Sequence, residues 1–217
     1  MAAAPQAQAE KLDNWTHMTS LIDHGYLFGH MGSIHPMDKT PVGKRLALAA
    51  RQHAYGEPVI SEGPKPRTAT VSRDGNSLTI TFDTTTMGPG GLLLRTTGVV
   101  RQRCPLREKQ VSGNPSNYTV PHSQCGPATG FEVTTGEDSG RQWHAVNEMK
   151  LGPDGRSLVL AVPPGLARAS ITSMRYLFAD WPTPTVYNSL SYLGSNGELP
   201  TAPFVLPVVL RDDSVAG

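Results

Sequence analysis

Gly32-Ser33-Ile34-His35-Pro36-Met37-Asp38-Lys39, running on into Thr40 to Gly56, is the stretch from which the rest of the chain is read. Its second half has the pattern of one amphipathic helix. Thr40 stands where a hydroxyl can cap the first turn. Pro41 follows at the first helical position, where a missing N–H leaves nothing unsatisfied. Val42, Leu46, Ala49, Ala50 and Ala54 recur at helical spacing, with Lys44, Arg45 and Arg51 mostly on the other side. Gly56 comes just after the last apolar residue, as a helix stop does. His35 is therefore a loop imidazole set directly before a rigid element, which leaves the ring free to orient while its backbone is anchored.

Upstream, Met18 to Ile22 predicts a short strand ending at Asp23, the place where functional groups gather in α/β sheets. Strand, loop and helix together read as the last unit of a larger α/β domain. Downstream, Glu57 to Pro66 is a Pro- and Gly-containing connector that marks a boundary. Beyond it, short strands dominate. Thr68–Ser72 and Ser77–Phe82 flank Asp74-Gly75-Asn76, a hairpin turn. Gly91–Leu94 follows, then an irregular insert from Gly98 to Thr129, then Phe131–Val133 and Trp143–Val146. Pro153-Asp154-Gly155 turns into Ser157–Val162, and Ser170 to Phe178 is a strand with Ile171, Met174, Tyr176 and Phe178 as core candidates. Short strands at this spacing predict a sandwich.

The fold class expected is thus α/β plus all-β: the C-terminal strand-loop-helix of an α/β domain followed by a β-sandwich-like domain. The division is 1–15 as a disordered Ala- and Gln-rich lead-in, 16–57 as the α/β piece and 58–210 as the β domain. Composition agrees, since 22 Gly and 19 Pro in 217 residues favour turns and short strands over long helices. A net charge of +1 gives no reason to expect nucleic acid or an anionic membrane as partner. No apolar run is long enough for a spanning helix. The first residues lack the basic start and apolar core of a signal peptide. Cys104 and Cys125 share one polar insert: an oxidising compartment would let them close it as a disulfide, a reducing one would leave two thiols. Asn14-Trp15-Thr16 and Asn117-Tyr118-Thr119 are glycosylation sequons, which lean towards a secretory route.

The block from Gly32 to Gly56 resembles the last catalytic block of the sialate O-acetylesterase family, the sialic-acid-specific 9-O-acetylesterases of the SGNH hydrolase class. That family closes its hydrolase domain with Ile-His-Pro-x-(Asp/Asn)-Lys and a helix ending in Ala-Tyr-Gly, here Ile34–Lys39 and Ala54-Tyr55-Gly56. Gly63-Pro64 is similar to a Gly-Pro after that helix. Arg175 to Pro182 is similar to an Arg-Tyr-Ala-Trp segment near the family's C-terminus, and Leu199 to Phe204 to its closing Leu-Pro-Ala-x-Pro-Phe. The similarity runs in order from about Asp23 to Phe204 and covers only the C-terminal part of the family's length.

What the resemblance implies is a carboxylic ester hydrolase that removes O-acetyl groups from sialic acid or related acetylated sugars, without cofactor or metal. Such chemistry needs a serine nucleophile, a histidine that takes and returns its proton, and a carboxylate that orients the histidine. His35 matches the histidine, as general base. The carboxylate departs from the family's pattern: the positions three and two before His35 are Gly32 and Ser33. Asp23 is the nearest upstream acid and the candidate orienting carboxylate, in a segment, Asp23-His24-Gly25, where the family carries Asp-Leu-Gly. Asp38 fits better as an acid at a helix start.

No stretch before Asp23 resembles the family's Gly-rich serine turn, and no G-x-S-x-G elbow occurs, so this chain alone is expected to be inactive. His24, His30 and His35 fit no zinc spacing. Trp143, Trp181, Tyr187 and Tyr192 are candidates either for a sugar platform or for ordinary packing. With the sequons, the resemblance leans towards a secreted or lysosomal protein whose partner is an acetylated carbohydrate. The alternative is a non-catalytic β-sandwich module that binds carbohydrate or protein.

Overall fold

Asp74-Gly75 and Asp154-Gly155 each close a hairpin, and both do it with the same bonds. The Ser72 N–H donates to Ser77 O at 2.8 Å and the Gly75 N–H to Ser72 O at 3.0 Å; Gly152, Ser157 and Gly155 repeat this at 2.8 and 3.0 Å. In the first turn the Asp74 carboxylate accepts from Ser72 Oγ and from the Asn76 backbone and side chain. In the second, Asp154 Oδ1 accepts from Arg156 N, Ser157 N and Ser157 Oγ. A shared Asp-Gly-x-Ser-Leu pattern thus encodes two equivalent turns.

The computed structural model describes residues 22–23, 38–95, 98–99, 127, 129–136, 142–166, 170–179, 182, 184–190 and 198–210. Among them one α-helix, α1 (Thr40–His53), precedes eleven strands. These are β1 (Pro66–Val71), β2 (Ser77–Phe82), β3 (Leu92–Leu94), β4 (Gly98–Val99), β5 (Phe131–Thr134), β6 (Trp143–Ala145), β7 (Glu148–Leu151), β8 (Ser157–Ala161), β9 (Ser173–Tyr176), β10 (Val186–Asn188) and β11 (Phe204–Leu210). A 3-10 turn, Thr84–Thr86, is capped by Asp83, whose carboxylate accepts from Thr85 N.

Nine strands form one mixed sheet in the order β4-β7-β8-β2-β1-β11-β9-β5-β6, and β3 pairs with β10 in a separate ribbon. The expected sandwich therefore takes the form of a single curled sheet. β11 makes the joint by changing partner along its length. Phe204 to Pro207 run antiparallel to β9, while Val208 to Leu210 run parallel to β1. Pro207, with no N–H to give, sits at the changeover. Side chains from both arms, among them Val71, Ile80 and Leu158 from one and Phe131, Val133 and Met174 from the other, share one buried core.

Several boundaries differ from expectation. Part of the irregular insert is a strand, β4; β7 was not expected although Glu148 to Leu151 alternate polar and apolar, and β10 and β11 carry no clear alternation to announce them. The strand expected over Ser170 to Phe178 ends at Tyr176, because Leu177 turns out of the ladder with φ 59° and gives its N–H to Gly130 O at 2.8 Å.

α1 keeps its expected length but not its expected cap or face. Thr40 is already helical and caps nothing; Asp38 Oδ1 accepts the Thr40 N–H at 2.8 Å. A carboxylate is a better acceptor than a hydroxyl at the positive end of a helix. The buried face is Arg45, Leu48 and Ala49, while Leu46 is 49% exposed. A charged side chain thus replaces the expected leucine in the interior, for the reason given below. At the far end Gly56 does act as the stop, with φ 68°. The chain then folds back so that the Glu57 N–H reaches Arg51 O at 2.9 Å.

Candidate functional site

Arg45 is buried because it has a partner. Its two terminal nitrogens each donate to one oxygen of Asp23, both at 2.7 Å. The side chains are 4% and 14% exposed. A bidentate fork is the geometry that lets a guanidinium leave water without losing its hydrogen bonds. On the same helical face, Leu48 packs with Leu190 and Leu199 in a small apolar cluster with Val59 and Ile60 beside it. One turn further on, Gln52 Oε1 accepts from Ser61 Oγ. Arg45, Leu48, Ala49 and Gln52 follow the 3,4,7 spacing of one helical stripe, so α1 is fixed to Asp23, Ser61, Leu190 and Leu199 by a single face.

That face meets the other similar stretches. Gly63 lies against the backbone of Pro200 and Thr201: a Cβ on it would stand 1.9 Å from Pro200 O. Only a residue without a side chain permits that approach. The Thr201 N–H donates to Val186 O at 2.9 Å. Asn188, fully buried, joins the pieces with its amide. Nδ2 donates to Glu62 O at 3.0 Å and Thr86 O at 3.1 Å, and Oδ1 accepts from Leu199 N at 2.8 Å. The Tyr176 hydroxyl accepts from Thr185 N at 2.9 Å and Val186 N at 3.1 Å. The Tyr176 ring stacks with Phe131 and Phe204 at centroid distances of 4.4 and 5.4 Å. Stretches far apart in the chain, α1, Gly63-Pro64, Arg175 onward and Leu199–Phe204, thus converge on one region.

Asp23 stands at its edge. Burial, with the negative charge of Asp23 adding to it, pushes the Tyr187 phenol above its ordinary range. Burial raises Tyr176 as well, and Asp23 contributes again. Arg95 lies over the Tyr187 ring at 4.9 Å and pairs with Glu198 at 3.0 Å. Asp23, Arg95 and Glu198 each adjoin a stretch outside the described residues, 24–37, 96–97 and 191–197. The arrangement gathers two carboxylates, Asp23 and Glu198, two guanidinium groups, Arg45 and Arg95, and the protonated phenol of Tyr187 in one region.

The candidates from sequence fall as follows. Asp23 is held by Arg45, and Asp38 serves the helix. His24, His30, His35, Cys104, Cys125, Trp181 and Tyr192 lie outside the described residues. Trp143 and Tyr187 sit on different sheets, each stacked by an arginine. Arg45, Asn188, Arg95 and Glu198 were not among the candidates. For Arg45 a signal existed: it lies on one stripe with Leu48, Ala49 and Gln52. For the others, whose partners are 103 and 126 residues away at the furthest, no local signal exists.

No family model and no curated protein matches this chain. Among solved structures, a carbohydrate acetylesterase from Xanthomonas citri matches with a TM-score of 0.53 at 24% sequence identity. The match covers 86% of this chain and 31% of that one. The two share a fold over this region, and the chain spans less than a third of the acetylesterase's length.

Proposed function

We propose that this chain is the C-terminal part of a carbohydrate O-acetylesterase, a carboxylic ester hydrolase of SGNH type acting on O-acetylated sialic acid or a related acetylated sugar. The observation that carries the reading is the shared fold with part of a carbohydrate acetylesterase. The meeting in space of α1, Gly63 and Leu199–Phe204 supports it, since these are the stretches similar to the sialate O-acetylesterase family. In this reading His35 takes the proton of a serine supplied from outside this chain and returns it to the leaving sugar oxygen. Asp23, anchored by Arg45, is the carboxylate assigned to orient the imidazole. Arg45 then has the task of fixing Asp23 in place.

Joining the chain to a nucleophile-bearing SGNH segment encoded upstream of it tests the reading. Acetate release from 9-O-acetylated sialic acid and from an acetylated neutral glycan would be measured, with His35→Ala as the control. The expected result is turnover that falls by orders of magnitude in His35→Ala, since the general base is lost. Activity that survives His35→Ala refutes the assignment.

A non-catalytic module that binds carbohydrate or protein is the second reading. The hydroxyls of Ser61, Ser72, Ser157 and Ser173 favour it: they donate to Gln52, Asp74, Asp154 and Leu206 O, all structural ties. The absence of any upstream serine block in the coding sequence would select this reading.

A further inference from the structure

β6, β5 and β9 lie side by side at one end of the sheet. Pairing sets Trp143 opposite Thr134, Thr134 opposite Ser173, and Glu132 between Ala145 and Arg175. Partners across a ladder, and residues two apart along a strand, share a face. Trp143, Thr134, Glu132 and Arg175 therefore occupy one face, opposite the core residues Phe131, Val133 and Met174. Trp143 and Arg175 belong to strands separated by β5, two strand spacings or roughly 9.5 Å apart. Yet the Arg175 guanidinium lies 4.2 Å from the Trp143 ring centroid, so the two side chains meet above β5. Phe178 faces the same guanidinium at 5.5 Å. Arg175 Nε donates to Glu132 Oε2 at 2.6 Å.

The result is a donor and an acceptor held rigidly beside an aromatic ring. The Arg175 side chain is 23% exposed and that of Glu132 14%. The ion pair uses the Nε edge of the guanidinium and one carboxylate oxygen. The guanidinium NH2 groups and Glu132 Oε1 make no hydrogen bond to the described residues. Thr134, fully buried on this face beneath them, keeps a hydroxyl with no hydrogen-bond partner.

Two neighbouring hydroxyls of a pyranose suit this set. The guanidinium donates to one oxygen while Glu132 accepts the proton of the next, and the part of the indole that Arg175 does not cover meets the sugar's C–H bonds. A carboxylate ligand suits it less, because Glu132 already partly neutralises Arg175 and would repel a second anion. We propose that the outer face of β6-β5-β9, through Trp143, Arg175 and Glu132, binds a neutral glycan by its vicinal hydroxyls.

An NMR titration of the 217-residue chain with cellohexaose tests this. The probe carries vicinal hydroxyls and no ester, so its result stands apart from the hydrolase reading. The expected result is saturable shifts of the Trp143 indole N–H and the Arg175 Nε–H, with a Kd of about 1 mM or tighter. Arg175→Lys keeps the charge but loses the planar fork, and weakens binding about tenfold or more. Trp143→Ala abolishes it, and Trp143→Phe, which keeps an aromatic face and secures the fold, retains part. Unchanged binding in Arg175→Lys and Trp143→Phe alike, shifts that map elsewhere, or no saturation by tens of millimolar overturns the proposal. Tighter binding of N-acetylneuraminic acid than of cellohexaose overturns the choice of a neutral ligand.

Discussion

The guanidinium of Arg45 grips both carboxylate oxygens of Asp23 at 2.7 Å, across 22 positions of sequence. Both side chains are largely withdrawn from water. Removing one partner takes the bidentate bonds away from a buried charge, which costs about 3–5 kcal/mol. Arg45→Met and Asp23→Asn should each lower stability by that order in urea unfolding. The double variant should recover much of the loss, because two buried charges vanish together. Additive losses in the double-mutant cycle would mean that the pair is not coupled as the geometry requires.

Two glycines give opposite signs for one substitution. Gly63 has Pro200 O, Pro200 C and Thr201 N where its Cβ would go, at 1.9, 2.4 and 2.9 Å. These are backbone atoms, which cannot rotate away, so Gly63→Ala must part the connector from Leu199–Thr201. A loss of about 3 kcal/mol or more is expected. Gly43 lies inside α1 with nothing within 4 Å of a Cβ. Gly43→Ala should stabilise by about 0.5–1 kcal/mol, the helix-propensity gain. Thermal melts of the two variants check both signs, and a neutral Gly63→Ala would show that the contact is not tight.

These contrasts also show what the sequence could reveal. Asp74-Gly75 and Asp154-Gly155 were legible as turns because each bond closing them lies within six residues. The helix was legible because Pro41 and Gly56 punctuate it. Its buried face was legible only in part, at Ala49 and in the stripe that Arg45 shares with Leu48 and Gln52, since hydrophobicity favours Leu46 inside, whereas a distant carboxylate brings Arg45 there instead. The joint at β11 was hidden for a related reason: nothing in Phe204–Leu210 says that its two halves take different partners. Of the candidate site, Asp23 was named, but its ion pair and the ring of Tyr187, Arg95 and Glu198 depend on contacts that only the fold creates.

Thr134 is fully buried and its hydroxyl has no partner. An unpaired hydroxyl costs about 1–3 kcal/mol relative to one that is satisfied. Thr134→Val keeps the shape and removes the polar atom, so it should stabilise the protein by about 1 kcal/mol. At this chain length that is a rise in Tm of roughly 2–4 °C. A lower Tm would mean that the hydroxyl has a partner after all.

Acid should unfold the protein partly through its turns. Asp154 lies below its ordinary value of 3.8, first because Arg156 N donates to it and then because Ser157 Oγ does. Asp83 is lowered by Thr85, through its hydroxyl and then its N–H, and Asp74 by Ser72 Oγ ahead of the Asn76 donors. For a carboxylate whose folded pKa is depressed, the unfolded chain binds the proton first. The stabilisation is therefore complete above the unfolded value and is lost as pH falls through the folded one. Stability should hold down to about pH 4 as far as these three groups are concerned and fall below it. Asp154→Asn keeps an acceptor at the turn but removes the titration. It should be less stable than the parent at pH 7, where the charged acceptor is the stronger one, and the gap should close as pH drops towards 2. Urea midpoints of the two proteins across that range give the measurement. A gap that stays constant with pH would mean that Asp154 titrates alike in the folded and unfolded chains, and that its bonds to Arg156 and Ser157 do not favour the charged form.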